Sequence, residues 1–415
     1  MSLFARSYRY YIGSFAGLGR EVWLLAFITF VNRAGTMVVP FLSLYLTQDM
    51  GLALEQVGWI MSSFGAGSVV GAWMGGKLTD RIGFYTVMVW ALITSGICFV
   101  LLQYVEGYLS FCLGIFVLTL LSDAFRPAMF VAVGSYAGPQ HRTRAITLIR
   151  LAINLGFSMG PACGGLIIAL WGYPGLFWVD GLTCVVAAGL MLRWLPQRSA
   201  SVTPAAVDGA SLRSPYQDRP YLFFLLTTVL IAVPFLQYFS TMPLYYSQVH
   251  GLDELGIGLL LGMNGLLIFL LEMPLVRFCE DRRFRHTDIL LVSTVLMALS
   301  FLVLNVAPFV AVLWVGMALV TVGEMLNFPF ANRLAYERAD RGKPGSYMAL
   351  FTIAWAVAHI VGHTLGLQMV ARFGFDNAWY FFGGLLLVAI VLLMALKRML
   401  AEEAAPGSAA PPRTT

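Results

Sequence analysis

The sequence is short of charge. Asp, Glu, Lys and Arg make up 11% of its 415 residues, against roughly 25% in a soluble domain. A chain this long with 59% hydrophobic residues could not cover a water-facing surface with so few charges. Lipid is the solvent that removes the need. Cysteine is also scarce, and the five present (Cys98, Cys112, Cys163, Cys184 and Cys279) lie in or beside apolar runs without a CxxC pair. That excludes a disulfide or zinc framework and leaves them as small apolar packing residues. An intramembrane enzyme would need a convergent nucleophile–base pair or metal cluster. No HExxH pair or His-rich run occurs, so no enzyme, metal or cofactor is expected. The aromatic, basic stretch Met1 to Arg20 lacks a short apolar core with a small-residue cleavage site, so no removable signal is expected.

What the sequence has instead is long apolar runs. Stretches of about 20 residues, enough to cross a bilayer as helix, fall near 22–46, 54–76, 85–103, 107–134, 143–170, 174–194, 220–247, 254–277, 288–305, 309–332, 345–371 and 377–397. The fold expected is an all-α membrane protein of about twelve spans. The abundant glycine (41 residues) lets such helices approach closely, and aromatic rings suit the lipid–water boundary.

Basic residues orient this stack. The loops on the side of both termini receive Arg20, Lys77, Arg81, Arg142, Arg144, Arg193, Arg198, Arg282, Arg283, Arg285, Lys343, Lys397 and others. The opposite loops hold Arg372 among Asp49, Glu106, Asp253, Glu254 and Asp376. The positive-inside bias therefore predicts cytoplasmic termini and an inner (plasma) membrane location. The same scatter over many short loops argues against nucleic acid as a partner. A segment at 1–21 precedes a first bundle at 22–194. A Pro-, Ser- and Arg-containing linker at 195–219 leads to a second bundle at 220–397, and an Ala/Pro-rich tail at 398–415 is expected to be disordered.

The two bundles echo each other at a separation of roughly 200 residues. Leu44-Tyr45, Gln48, Gly51-Leu52 and Gly58 recur as Leu244-Tyr245, Gln248, Gly251-Leu252 and Gly258. Asp80-Arg81 matches Asp281-Arg282, Pro127 matches Pro329, and Gly160 and Gly164 match Gly362 and Gly366. A duplicated six-helix unit predicts two bundles related by a pseudo-two-fold axis along the membrane normal, with a substrate site near mid-membrane.

The loop Gly76-Lys77-Leu78-Thr79-Asp80-Arg81-Ile82-Gly83 resembles the signature loop of the major facilitator superfamily. That resemblance covers roughly residues 20 to 400 and implies the major facilitator fold, a monomer, and transport of a small molecule by alternating access. It assigns Gly76, Asp80, Arg81 and Gly83 to a cytoplasmic gate. Phe84 and Tyr85 stand where the family pattern continues with two basic residues. Gly156, Gly160, Pro161, Gly164 and Gly165 resemble the family's fifth-helix motif, associated with antiporters. Their small side chains would make a flat face and a tight seam. The whole looks most similar to twelve-helix drug:proton antiporters. Asn32-Arg33 with Tyr45-Leu46 faintly resembles proton-coupled peptide transporters, but Thr29 and Asn32 occupy the places of that group's glutamates. Ile115 stands where the fourth helix usually has an arginine, and Arg126 is the candidate substitute.

Ionisable groups inside spans cost at least ~2.5 kcal/mol each, so each is a functional candidate. Asp123 and Arg126, three apart on one helix, are expected to pair, either as a fixed ion pair or as a proton switch. Glu272 and Glu324 have no cation one turn away and are expected to load and release protons, with Asn327 available as a partner for Glu324. Candidate substrate-cavity residues are Asn32, Arg33, Arg150, Asn154, Asn264, Asn327, His359 and His363. The expected activity is proton-coupled export of amphipathic compounds, or proton-linked uptake of a peptide or other small polar solute.

Overall fold

The computed structural model describes residues 17–137, 141–198, 214–306, 309–339 and 344–404. Its elements are α1 (Arg20–Ala34), α2 (Val38–Leu44, continued by a π-helical turn Tyr45–Asp49), α3 (Leu54–Ile82), α4 (Phe84–Leu102), α5 (Tyr108–Asp123), α6 (Phe125–Ala137), α7 (Arg142–Trp171) and α8 (Pro174–Trp194). They continue with α9 (Arg219–Leu236), α10 (Met242–Gln248), α11 (Glu254–Asp281), α12 (His286–Leu302), α13 (Val310–Ala339) and α14 (Pro344–Ala404). No strand occurs among the described residues.

Ten helical stretches among the described residues are long and apolar enough to cross a membrane. Helix α3 is long enough at 29 residues, but glycine and serine make it less apolar. Helix α14 leaves helical geometry at Gly374 (φ 79°), and its 61 residues suffice for two crossings. The pattern is compatible with twelve spans. Trp73, Trp90, Leu109, Leu113 and Leu170 are exposed on helix faces, as expected where lipid replaces water.

The chain forms two compact units, Met1–Ala205 with Phe239–Phe269, and Ala206–Tyr238 with Leu270–Thr415. In the first unit, a cluster of Leu25, Ile28, Phe84, Met88, Phe125, Met129, Ile149 and Met191 joins α1, α4, α6, α7 and α8. Helix α3 packs on α5 with almost no side chain between them. A Cβ at Gly67, Gly71 or Gly75 would come within 2.4–2.5 Å of the carbonyl oxygens of Phe116, Leu120 and Ala124. This four-residue glycine spacing sets the two backbones against each other.

In the second unit, Asp218 caps α9 by accepting from Tyr221 N (3.2 Å) and is fully buried. It pairs with Arg338 at the end of α13 and accepts from Tyr347 Oη (3.1 Å) on α14. Arg338 also reaches Glu403 near the end of α14 (2.6 Å). The tail expected to be disordered from 398 therefore starts as helix as far as Ala404, because Glu403 is held by a buried guanidinium. Linker residues 199–213 and tail residues 405–415 lie outside the described residues.

Candidate functional site

The first span breaks between α1 and α2. Pro40 has no N–H to offer the Thr36 carbonyl, and Gly35 lies against Thr183. The break exposes a new helix N-terminus inside the protein. Asp180 of α8 fills it: its carboxylate accepts from Met37 N (3.1 Å to each oxygen) and Val38 N (2.9 Å). Asp180 is completely buried, so these backbone donors and the positive end of α2 hold it. No motif in the sequence marks Asp180, yet it is among the most deeply buried acids of the described residues. The corresponding span of the second half also breaks, between α9 and α10, ahead of Pro243. There Gln237 is buried and donates through Nε2 to the carbonyls of Val233 (2.7 Å) and Gly362 (2.9 Å).

The fourth span breaks at its acid. Helix α5 ends at Asp123 and α6 begins at Phe125, because Pro127 cannot donate to the Asp123 carbonyl. The glycine seam between α3 and α5 carries Ser68 to this point, and Ser68 Oγ donates to the Asp123 carboxylate. Asp123 lines a cavity of about 80 Å³ with Asn32, Arg33, Phe64, Ser95, Thr119 and Cys184. Arg33 is held from behind by Gly156, where a Cβ would lie 2.6 Å from that of Arg33. Its guanidinium lies 5.7 Å from the Phe157 ring centre, and its buried Nε makes no hydrogen bond among the described residues. Asp123 attracts Arg33 and Arg126 repels it. Asn32 Nδ2 points to Cys184 Sγ (3.4 Å).

This arrangement corrects one expectation. Asp123 and Arg126 form no ion pair among the described residues, and Arg126 is exposed. The three-residue spacing assumed a continuous helix, whereas the break at Ala124 separates the two side chains. Arg33, on another span, lines the same cavity as Asp123 and is attracted by it, with no ion pair between the two among the described residues.

The fifth-span glycines lie on α7 where a seam was expected. A Cβ at Gly160 would meet the Thr36 carbonyl at 2.9 Å, one at Gly164 the Phe41 ring at 3.0 Å, and one at Gly165 the Glu254 carbonyl at 2.3 Å. On the facing side, a Cβ at Gly258 would lie 2.4 Å from the Pro161 carbonyl. Helix α7 is thus pressed against the first span on one flank and α11 on another. Gly156 to Gly160 also spells GxSxG, the string of serine hydrolases. Ser158 stands mid-helix and donates to the Gly262 carbonyl (3.1 Å). The hydrolase motif needs an exposed turn between strand and helix, so Ser158 is a packing residue.

The cytoplasmic gate candidates sit at the end of α3. Asp80 is exposed and joins no ion pair or hydrogen bond among the described residues, and the same holds for Arg81. Gly83 has φ +85°, which favours glycine, and starts α4. Gly76 faces open space.

In the second unit Glu272 is buried and Glu324 half-buried, both with interacting partners. Asn327 donates to Ser293 Oγ (2.9 Å), which is its partner in place of the one expected, Glu324. The rings of His359 and His363 are tilted against each other at 49°, with centres 5.8 Å apart. No metal-binding group of three occurs among the described residues. Arg150, Asn154 and Asn264 are half-buried and engaged in contacts. The structure thus brings Asn32, Arg33 and Asp123 together and adds Ser68 and Cys184.

A polytopic helical chain with broken spans and buried, partnered charges at the breaks has the construction of a membrane transporter. The sequence profile of the Major Facilitator Superfamily matches residues 22–363 and 256–414, so the chain belongs to that family of secondary transporters. A Na(+), Li(+), K(+)/H(+) antiporter of Planococcus maritimus is 22% identical, with 83% of this chain and 88% of the relative covered. Multidrug resistance protein MdtH of Aeromonas hydrophila is 23% identical over 84% of this chain and 87% of its own. A crystal structure of a POT family transporter in complex with 5-aminolevulinic acid superposes with a TM-score of 0.78 at 14% identity, covering 94% of this chain and 98% of that one. This last likeness concerns the fold.

Proposed function

We propose that the chain is a proton-coupled antiporter that exports small amphipathic compounds across the inner membrane, with both termini in the cytoplasm. The observation that carries this reading is Asp123, an acid at a helix break, bonded to Ser68 and sharing a small cavity with Arg33. A carboxylate beside a guanidinium stays ionised; when the guanidinium moves away the acid takes up a proton. Bending at the Asp123–Phe125 break changes that separation. The cavity, about 80 Å³, suits water and a small ion and not an amphipathic molecule, so it is assigned to coupling. The cation/proton antiporter relative supports exchange against protons, and the multidrug-resistance relative supports drug-like compounds as cargo.

The test uses purified protein in vesicles loaded with a pH-sensitive dye. Addition of a lipophilic cation such as ethidium should discharge an imposed pH gradient, and Asp123→Asn should abolish this while ethidium binding persists. Proton movement at the native rate in Asp123→Asn would overturn the assignment. A second reading, exchange of an alkali cation for protons, is favoured by the side-chain oxygens that Asn32, Ser95, Thr119 and Asp123 bring to an otherwise largely apolar lining. Discharge by sodium or potassium with no response to ethidium would select it.

A further inference from the structure

Glu254 opens α11 and takes no part in the site around Asp123. It belongs to a polar group at the opposite end of α2 from its break. Tyr173, in the turn between α7 and α8, directs its hydroxyl to Gln48 Oε1 (2.9 Å) and Glu254 Oε1 (3.1 Å). Gln48 in turn donates through Nε2 to Ser247 Oγ (3.0 Å). Four segments meet here: the end of the first span, the α7–α8 turn, the end of α10 and the start of α11. Two come from each half of the sequence, and all lie in the first compact unit.

Donor counting makes this arrangement sensitive to protonation. A phenol has one O–H, and here it faces two acceptors. When Glu254 is ionised, the two compete for one hydrogen and one contact is left weak. When Glu254 carries a proton, its O–H donates to the Tyr173 oxygen. The Tyr173 O–H is then free to donate to Gln48, and Gln48 donates to Ser247. Every contact is satisfied in a single direction. One proton taken from water forms this chain, and its loss breaks it.

We propose that Gln48, Tyr173 and Glu254 form a proton-operated clasp that closes the outer ends of the two sequence halves, with Glu254 receiving its proton from the outer solution. The assignment to the outer face rests on the topology proposed above. Tyr173 is buried, and burial together with the Glu254 carboxylate pushes its hydroxyl well above its usual range, so it stays a donor at every working pH. The other titratable groups nearby are Asp49, which acts on Tyr173, Asp253, whose Oδ1 accepts from Gly256 N (2.8 Å) at the start of α11, and His250, whose ring meets Tyr245. Burial holds His250 towards its neutral form. In this scheme an acidic exterior favours the state closed to the outside, and the clasp opens when Glu254 releases its proton.

The test places nitroxide labels at Ala53→Cys and Val249→Cys, both exposed, in a variant whose five native cysteines are replaced by alanine. Distances are read by pulsed EPR in nanodiscs at about pH 3.5 and about pH 8, on either side of the ordinary glutamate value of about 4.3. The native clasp should gain short distances at the acidic pH. Glu254→Gln, whose amide donates to Tyr173 as the protonated acid does, should hold short distances at both. Tyr173→Phe should show no pH response. A native distribution identical at both pH values, or a pH response that survives Tyr173→Phe or Glu254→Gln, would overturn the clasp. These distances do not depend on transport, so failure of the antiport reading is seen separately in the vesicle assay. Reaction of Val249→Cys with an impermeant maleimide in intact cells checks the outer location; protection there with reaction in inverted vesicles would overturn the proposed route of the proton.

Discussion

Asp180 accepts the Met37 N–H with both carboxylate oxygens, and through this contact the sixth span fixes where the first resumes its helix. Asp180→Ala would leave the Val38 N–H without its partner and the Met37 N–H with the Gly35 carbonyl alone (3.0 Å). A lost cap costs about 0.5–2 kcal/mol and an unsatisfied buried group about 1–3 kcal/mol. The variant should therefore melt well below the native protein in a fluorescence-monitored thermal ramp, with Asp180→Asn between the two. Equal melting of all three would show that α2 needs no cap from α8.

Ser68→Ala removes the hydroxyl that holds Asp123 but leaves the carboxylate in the cavity. A hydrogen bond to a charged group contributes about 1.5–3 kcal/mol. Its loss leaves the carboxylate unanchored in the cavity, so proton-driven transport should slow several-fold. Initial rates across an imposed gradient measure this; an unchanged rate would remove Ser68 from the coupling site.

The glycines divide into two groups by what surrounds them. At Gly160 a methyl would meet the Thr36 carbonyl at 2.9 Å, and at Gly71 the Leu120 carbonyl at 2.4 Å. Neither backbone can yield without shifting a helix, so Gly160→Ala and Gly71→Ala should each cost about 1–3 kcal/mol. Gly76 meets nothing within 4 Å, and Gly76→Ala should be neutral or raise stability by up to about 1 kcal/mol through helix propensity. Parallel melting curves of the three variants test the contrast.

Much of this was legible beforehand. Apolar run lengths located the spans, and the four-residue glycine spacing of the fifth span marked a seam that packs on the first. The partner of Asp123 was not legible. Spacing along one helix pointed to Arg126, while Pro127 interrupted that helix and the glycines of α3 brought in Ser68 from fifty-five positions away. A signal was available: Gly67, Gly71 and Gly75 repeat at four-residue intervals beside Ser68. Asp180 was missed because its partners are backbone N–H groups exposed by a break in another span, which no side-chain motif records.

His250 sets a pH dependence of stability. Burial lowers its pKa from the usual 6.5, so below that value the unfolded chain binds more protons than the folded one. Stability must then fall as pH drops below about 6.5, and the loss ends once pH lies below the folded value. His250→Gln should flatten this part of the curve, as read from melting temperatures between about pH 5 and pH 8. A native slope that survives the substitution would assign it to another group.

The Pro127 break lies at the residue that carries the charge. Most hinges are remote from the chemistry they serve and must transmit their motion through intervening side chains. Here the carbonyl that Pro127 leaves without its usual helical donor and the carboxylate belong to the same residue, Asp123, so rotation about its backbone is itself displacement of the acid. Bending of the fourth span therefore moves the carboxylate directly: a substitution that stiffens the bend, such as Pro127→Ala, acts on the site without touching an ionisable group.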